Sequence, residues 1–178
     1  MLFLTGPTQS GKTTLSQRIA KEAKMKVFGT GQFFRSLTDS KMSERDRESI
    51  ASTDRSEDFE QAIRSKIRAL SFERERCVVE GFPRGVDQIQ FLSSLTQELG
   101  FFQPTVVFLH LSWEECLRRW EGRKRNESRE FVKNRFDSFN ARMQEMENEC
   151  KNLKIPYSVV FVDEIGSLED FSIDSLLK

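Results

Sequence analysis

"GPTQSGKTT", residues 6–14, follows the short apolar run Leu2-Phe3-Leu4-Thr5 at the start of the chain. Gly6, Gly11, Lys12 and Thr13 fit the pattern G-x-x-x-x-G-K-[ST], in the setting that pattern requires, a strand before it and a helix after it. The chemistry of phosphate binding needs these residue types. Glycines let consecutive backbone N–H groups turn inward around a phosphate, and the N-terminus of the next helix adds its dipole. Lys12 offers a mobile ammonium, and the Thr13 hydroxyl can ligate a divalent cation. A glycine-rich turn that merely caps a helix would need neither, and a chance match in a chain of this length has a probability of about one in a hundred. The stretch is therefore read as a phosphate-binding loop.

Outward from the loop, the chain alternates between two periods. Residues 12–24 carry helical periodicity through Leu15, Ile19, Ala20 and Ala23, and Lys26–Gly29 reads as a second strand. Residues 36–75 are charged and weakly patterned, with helical parts expected near 43–51 and 57–71. "CVVEG" (77–81) reads as a buried strand, 86–99 as a helix closed by Gly100, and "TVVFLHL" (105–111) as another buried strand. A helix from Trp113, a basic stretch to Arg129, a long helix to about Asn152, the strand "YSVVFV" (157–162) and a short C-terminal helix complete the order. Short apolar strands separated by helices imply an α/β fold, a parallel sheet with helices on both faces. The long helix has an apolar stripe at Val132, Phe136, Phe139, Met143, Met146 and Cys150. The stripe is too short for a coiled-coil seam and is expected to face the core.

The 178 residues, 37% of them hydrophobic, suffice for one globular domain. Lysine plus arginine (28) and aspartate plus glutamate (28) cancel, so no overall field draws the protein to nucleic acid or to an anionic membrane. Any anion site must be local. Cys77, Cys116 and Cys150 are odd in number and far apart, which indicates neither a disulfide framework nor a zinc site and fits a reducing compartment. No leader or membrane span is evident, so a cytoplasmic monomer is expected. His110, the chain's single histidine, lies inside an apolar strand and is read as a satisfied core imidazole.

"EGFPRGVDQ" (80–88) narrows the reading. It resembles the D-G-F-P-R signature, with Gln four residues on, of the adenylate kinase and nucleoside monophosphate kinase family, matching at Gly81, Phe82, Pro83, Arg84 and Gln88. "TGQFFR" (30–35) resembles the family's T-G-D-x-x-R, "SREFVKNRF" (128–136) is similar to its segment after the lid, and "VDEIGSLEDF" (162–171) aligns Gly166 with the loop on the ATP base. The resemblance implies a P-loop fold in one domain, residues 1–178, with a five-stranded parallel sheet in the order 2-3-1-4-5. It divides the chain into a core (1–29, 76–121, 131–178), a monophosphate-binding insert at about 30–75 and a short lid at about 122–130. It also implies ATP with Mg²⁺ and a nucleoside monophosphate as partners, and transfer of the γ-phosphoryl group between them.

The site residues follow from the same resemblance. Gly6, Gln9, Ser10, Gly11, Lys12, Thr13, Thr14, Arg119, Arg123 and Gly166 are expected on ATP. Thr30, Arg35, Gly81, Phe82, Arg84, Gln88, Arg125 and Arg135 are expected on the monophosphate. Thr13 and, through water, Glu80 are expected on the metal. Lys12, Arg84, Arg119, Arg123 and Arg135 are the expected catalytic set, since phosphoryl transfer asks for positioning and positive charge, and arginine's planar fork meets phosphate oxygens bidentately. Arg119 and Arg123, spaced i, i+4, share one helix face, whereas Arg118, Lys124 and Arg129 are expected on the surface.

The chain departs from the family pattern at Glu80 in place of aspartate, at Gln9 in place of a glycine, and at Gln32 in place of the acid of T-G-D. "STDRSEDF" (52–59) replaces the stretch that lines the family's base pocket. AMP is the favoured acceptor, with CMP or UMP next. A P-loop kinase of another small acceptor, and a nucleotide-binding switch without transfer, remain as alternatives.

Overall fold

A computed structural model describes residues 1–37, 57–123, 127–164, 172, 173 and 176. Five strands, β1 (Leu2–Thr5), β2 (Lys26–Gly29), β3 (Cys77–Glu80), β4 (Thr105–His110) and β5 (Tyr157–Phe161), form one all-parallel sheet in the order β2-β3-β1-β4-β5. This is the expected order. Parallel neighbours cannot be joined by a tight turn, so each link carries a crossover. Among the described residues the helices are α1 (Lys12–Ala23), α2 (Thr30–Leu37), α3 (Glu57–Phe72), α4 (Val86–Leu99), α5 (Trp113–Glu121) and α6 (Arg129–Asn152), followed by a 3₁₀ turn at Val162–Glu164.

Alternation along the central strands sends successive side chains to opposite faces. Phe3, Cys77, Val79, Val106 and Phe108 enter one buried cluster with Phe59, Ile63 and Ile67 of α3, Ile89, Leu92 and Leu95 of α4, and Phe139, Met143, Met146 and Cys150 of α6. Leu2, Leu4, Val78, Val107 and Leu109 enter the other with Leu15 and Ile19 of α1, Cys116 of α5, and Val132 and Phe136 of α6. The sheet is thus covered on both faces, which explains why its central strands read as continuous apolar runs. All six residues of the α6 stripe are buried, as expected, and the helix divides them between the two clusters. The outer strands β2 and β5 leave Val27, Tyr157 and Phe161 exposed.

His110 departs from its expected setting. Strand β4 ends on it rather than at Leu111, so the ring emerges from the apolar interior half-buried. Its Nε2 lies 2.6 Å from Glu147 Oε1 of α6, and the ring packs 5.0 Å from Phe161, so the imidazole is satisfied at the sheet's margin. The helix expected near 43–51 and most of the expected C-terminal helix lie outside the described residues. No helix among the described residues is long and apolar enough to cross a membrane.

Because β1 lies between β3 and β4, the chain leaves β1 toward β2, returns to β3, and then crosses to the far side of β1 as β4. The carboxyl ends of these three strands flank the point where strand order reverses, the place where open α/β sheets form a crevice for ligands.

Candidate active site

The loop after β1 runs close against β4, and Gly6 makes this possible. A Cβ there would lie 2.8 Å from the Leu109 carbonyl oxygen and 2.9 Å from the Leu109 Cβ, so a larger residue would push the loop off the sheet. Ser10 is fully buried, Gly11 occupies the N-cap of α1, and Thr13 and Thr14 stand exposed in its first turn. Lys12 bends back across the loop, its Nζ donating to the carbonyls of Gly6 (2.9 Å) and Pro7 (2.6 Å) and to Ser10 Oγ (3.1 Å). Burial, followed by the positive charge of Arg84, lowers the lysine to a pKa of about 7; Arg135 pulls the same way and Glu80 opposes. The two arginines whose charge acts on Lys12 lie in the loop after β3 and on α6.

Glu80, the last residue of β3, accepts from Thr13 Oγ1 at 2.6 Å and from Ser16 Oγ at 3.2 Å. The longer carboxylate that stands in place of aspartate therefore reaches two of the hydroxyls in α1's first turns, those of Thr13 and Ser16. Ser16 was not among the expected residues, although its place one turn beyond Thr13 on the same helix face is a readable signal.

Beyond Glu80 the chain turns at Gly81, whose φ is +81° and where a Cβ would meet Thr30 Oγ1 at 2.8 Å. Only glycine suits that turn. Thr30, fully buried at the start of α2, donates to the Gly81 carbonyl at 3.1 Å, and Arg84 Nε donates to the same oxygen at 2.8 Å. The Phe82 ring, expected at the acceptor, is fully buried and packs 6.0 Å from Phe3 and 6.3 Å from Phe91, which leaves its backbone as the part facing the turn. The Thr5 hydroxyl donates to the Pro83 carbonyl and ties the turn to β1.

Gln88 is engaged at both ends of its amide. Its Oε1 accepts from the Arg84 backbone N–H at 2.7 Å, and its Nε2 donates to Glu60 Oε2 of α3 at 2.8 Å. Glu60 Oε1 in turn accepts from Arg64 Nε at 2.8 Å, and Arg64 Nη2 reaches Asp87 Oδ2 at 2.6 Å. This chain of contacts fastens α3 to the start of α4. Sequence reasoning missed Glu60, because a contact between residues 28 positions apart leaves no periodic trace.

From the other side, α5 and the residues just after it bring arginines to the loop. Arg119 lies on the helix, whereas Arg123 lies past the Gly122 cap, beyond the helix end at Glu121, so the two do not share a helix face as expected. Arg119 Nη1 donates to the Gln9 carbonyl at 3.4 Å, and Arg123 Nη1 donates to Gln9 Oε1 at 2.9 Å. Glu115, also unanticipated, orients Arg119 from one turn earlier: its carboxylate accepts from Arg119 Nε at 2.7 Å and from the exposed Arg118 Nε at 2.5 Å. Hydrogen bonding from Arg118 holds the Glu115 carboxyl down to about 2. Cys116 contacts the Thr8 carbonyl through its Sγ at 3.5 Å, and burial pushes its thiol up to about 11, so it packs rather than reacts. Arg135 of α6 reaches Glu127 Oε1 at 3.3 Å and lies over the Phe131 ring. Arg118 and Arg129 are exposed, as expected. Arg35 lies on α2, its side chain outside the described set; Lys124, Arg125 and Gly166 lie outside the described residues.

The arrangement belongs to a P-loop protein. A family profile described as an AAA domain matches residues 5–134, which takes in the loop, the Gly81–Gln88 turn, Arg119 and Arg123. The adenylate kinase of Synechococcus sp. (strain WH7803) is 33% identical over 144 residues, 78% of this chain and 77% of the relative. Adenylate kinases of Petrotoga mobilis (29% over 124 residues) and Chlamydia abortus (29% over 130) align with 69% and 68% of this chain. The chain belongs to the adenylate kinase family of P-loop proteins. It spans only 57% and 58% of the Petrotoga and Chlamydia relatives.

Proposed function

We propose that this protein transfers the γ-phosphoryl group of ATP to a nucleoside monophosphate, giving ADP and a nucleoside diphosphate. The observation that carries the reading is the glycine-rich loop after β1, with the Lys12 Nζ bent back onto Gly6, Pro7 and Ser10 and the Arg119 and Arg123 guanidinium groups bonded to it at Gln9. Cations are gathered at that density where a polyanion is their counterpart. In the reaction, an oxygen of the acceptor phosphate attacks the γ-phosphorus in line. The bond from that phosphorus to the β–γ bridging oxygen breaks, and its electron pair leaves on ADP. The step needs positioning and positive charge rather than acid–base work, which suits a chain whose single histidine is tied to Glu147.

On this reading Gly6, Gln9, Ser10, Gly11, Lys12, Thr13 and Thr14 hold the ATP phosphates, Gly166 is assigned to its base, and Arg119 of α5 and Arg123 just beyond it serve the same nucleotide. Arg35 and Arg84 hold the acceptor phosphate beside Thr30 and Gly81. Arg135 stands between donor and acceptor, and Arg125 belongs to the acceptor side. Thr13, Ser16 and Glu80 present oxygen donors alone, the set a hard cation takes, and so fit Mg²⁺ carried in with ATP, Glu80 acting through water. The ion would neutralise charge on the β- and γ-phosphates.

Gln88 and Glu60 support a choice of base. The amide and the carboxylate are bonded to each other, so the second Nε2 hydrogen of Gln88 and the remaining lone pairs of Glu60 are what a base would meet. Such a donor and acceptor complement the ring nitrogen and amino group of adenine, and equally of cytosine, whereas uracil presents the reverse pattern. AMP is the proposed acceptor, ahead of CMP and then UMP. Steady-state kcat/KM for the three, with wild type and Gln88→Ala, tests this. The AMP-to-UMP ratio should fall by about tenfold or more in the variant, as a lost buried partner costs about 1–3 kcal/mol. A wild-type preference for CMP or UMP overturns the AMP assignment, and an unmoved ratio removes Gln88 from base recognition.

Lys12 makes a second expectation measurable. At pH 8 the empty site holds it largely neutral, whereas a bound triphosphate stabilises the ammonium. ATP binding at pH 8 should therefore take up close to one proton and at pH 6 almost none. Calorimetry in two buffers of different ionisation enthalpy reads the number directly, and no uptake at pH 8 contradicts the placement of Lys12 on the phosphates.

A further inference from the structure

Gln9 breaks two local rules at once. It is a non-glycine residue at φ +63°, and its side chain, 6% exposed, carries an Nε2 with no hydrogen-bond partner among the described residues. Left-handed backbone disfavours a residue with a Cβ, and a buried amide N–H without an acceptor is costly. Both costs fall on one residue of the phosphate loop, between the helix that supplies Lys12 and the arginines Arg119 and Arg123. The other half of the same amide is fully used, Oε1 accepting from Arg123 Nη1 at 2.9 Å while the Gln9 carbonyl accepts from Arg119 Nη1 at 3.4 Å. The orphan donor therefore lies in the same rigid plane as the oxygen that holds Arg123.

We propose that the Gln9 side chain is a donor-site binding residue in its own right: its Oε1 docks Arg123 on the phosphate loop, and its Nε2 donates a hydrogen bond to a phosphate oxygen of the incoming nucleoside triphosphate. Strain and an unpaired polar group persist at a site where a ligand removes their cost, and ATP supplies the acceptor that Nε2 lacks. Glutamine suits both tasks because one planar amide offers an acceptor and a donor together. A glycine here would relieve the backbone but leave Arg123 without its acceptor and the phosphate without this donor.

The inference rests on reading residues 6–14 as the ATP site, and not on the identity of the acceptor. It is tested by binding ATP to Gln9→Gly, Gln9→Glu and Gln9→Asn, with thermal unfolding of the empty proteins alongside. Gln9→Gly should leave the melting temperature unchanged or raised and weaken ATP binding about tenfold. Gln9→Glu, which keeps an acceptor for Arg123 but loses the donor and adds negative charge, should weaken ATP at least as much. Gln9→Asn tolerates the left-handed backbone and is too short to serve both partners, so it should resemble the glycine variant and stands in if that one fails to fold. Combined with Arg123→Ala, Gln9→Gly should have less effect than it has alone. Wild-type ATP affinity in folded Gln9→Gly and Gln9→Asn overturns the proposal, as does equal affinity in Gln9→Glu. Failure of wild type to bind ATP at all would instead reject the reading of the loop.

Discussion

Replacing Lys12 with methionine is expected to lower kcat by about a thousandfold or more, or ~4 kcal/mol of transition-state stabilisation. The ammonium is the group on the loop able to follow charge onto the transferred oxygens, and it already lies within the loop, bonded to Gly6, Pro7 and Ser10. The fold should survive the change. Burial lowers this lysine from 10.5 to about 7, with Arg84 adding to the effect, so between those pH values the unfolded chain binds more protons here than the folded one. Stability of the empty wild type should therefore rise with pH across that window, and methionine should flatten the slope. Urea unfolding at pH 7 and pH 9, run beside turnover, separates the two effects. A folded Lys12→Met protein that keeps more than about a tenth of wild-type kcat removes the lysine from the chemistry.

Arg84→Ala should reduce acceptor-dependent turnover by about a thousandfold, within the range reported for single arginines at phosphoryl-transfer centres, while ATP binding changes by less than about threefold. Its Nε is fixed on the Gly81 carbonyl and its backbone N–H on Gln88, so the guanidinium is held at the turn proposed to face the acceptor. Arg84→Lys should rescue little, because an ammonium cannot reproduce a bidentate fork. Equal losses in ATP affinity and turnover would move Arg84 to the donor side, and unchanged turnover would reject its acceptor role.

Much of this was legible in the sequence because the signals are local. The strand before Gly6, the periodic helix after Thr13 and the turn at Gly81 each declare themselves within a few residues, and the parallel order follows once the family resemblance is on the page. The stripe of α6 was readable for the same reason, although its division between two clusters was not, since that depends on where the helix crosses the sheet's margin. His110 was misplaced by one strand residue: an apolar run does not say where pairing stops, and the acidic partner lies on a distant helix. The Gln88–Glu60 and Gln9–Arg123 contacts lay beyond sequence reasoning because each joins elements far apart in the chain. At Gln9 the departure from the family's glycine was visible, but that its side chain meets Arg123 became readable only with the fold in place.

Incubation of the protein with AMP, Mg²⁺ and ATP labelled in the γ-phosphoryl group, followed by separation of the nucleotides, tests the central claim most directly. The account predicts label in the β-phosphate of newly formed ADP, dependent on AMP and abolished by Lys12→Met, with little label in inorganic phosphate. Label that stays in ATP, or appears as inorganic phosphate whether or not a nucleoside monophosphate is present, would contradict it.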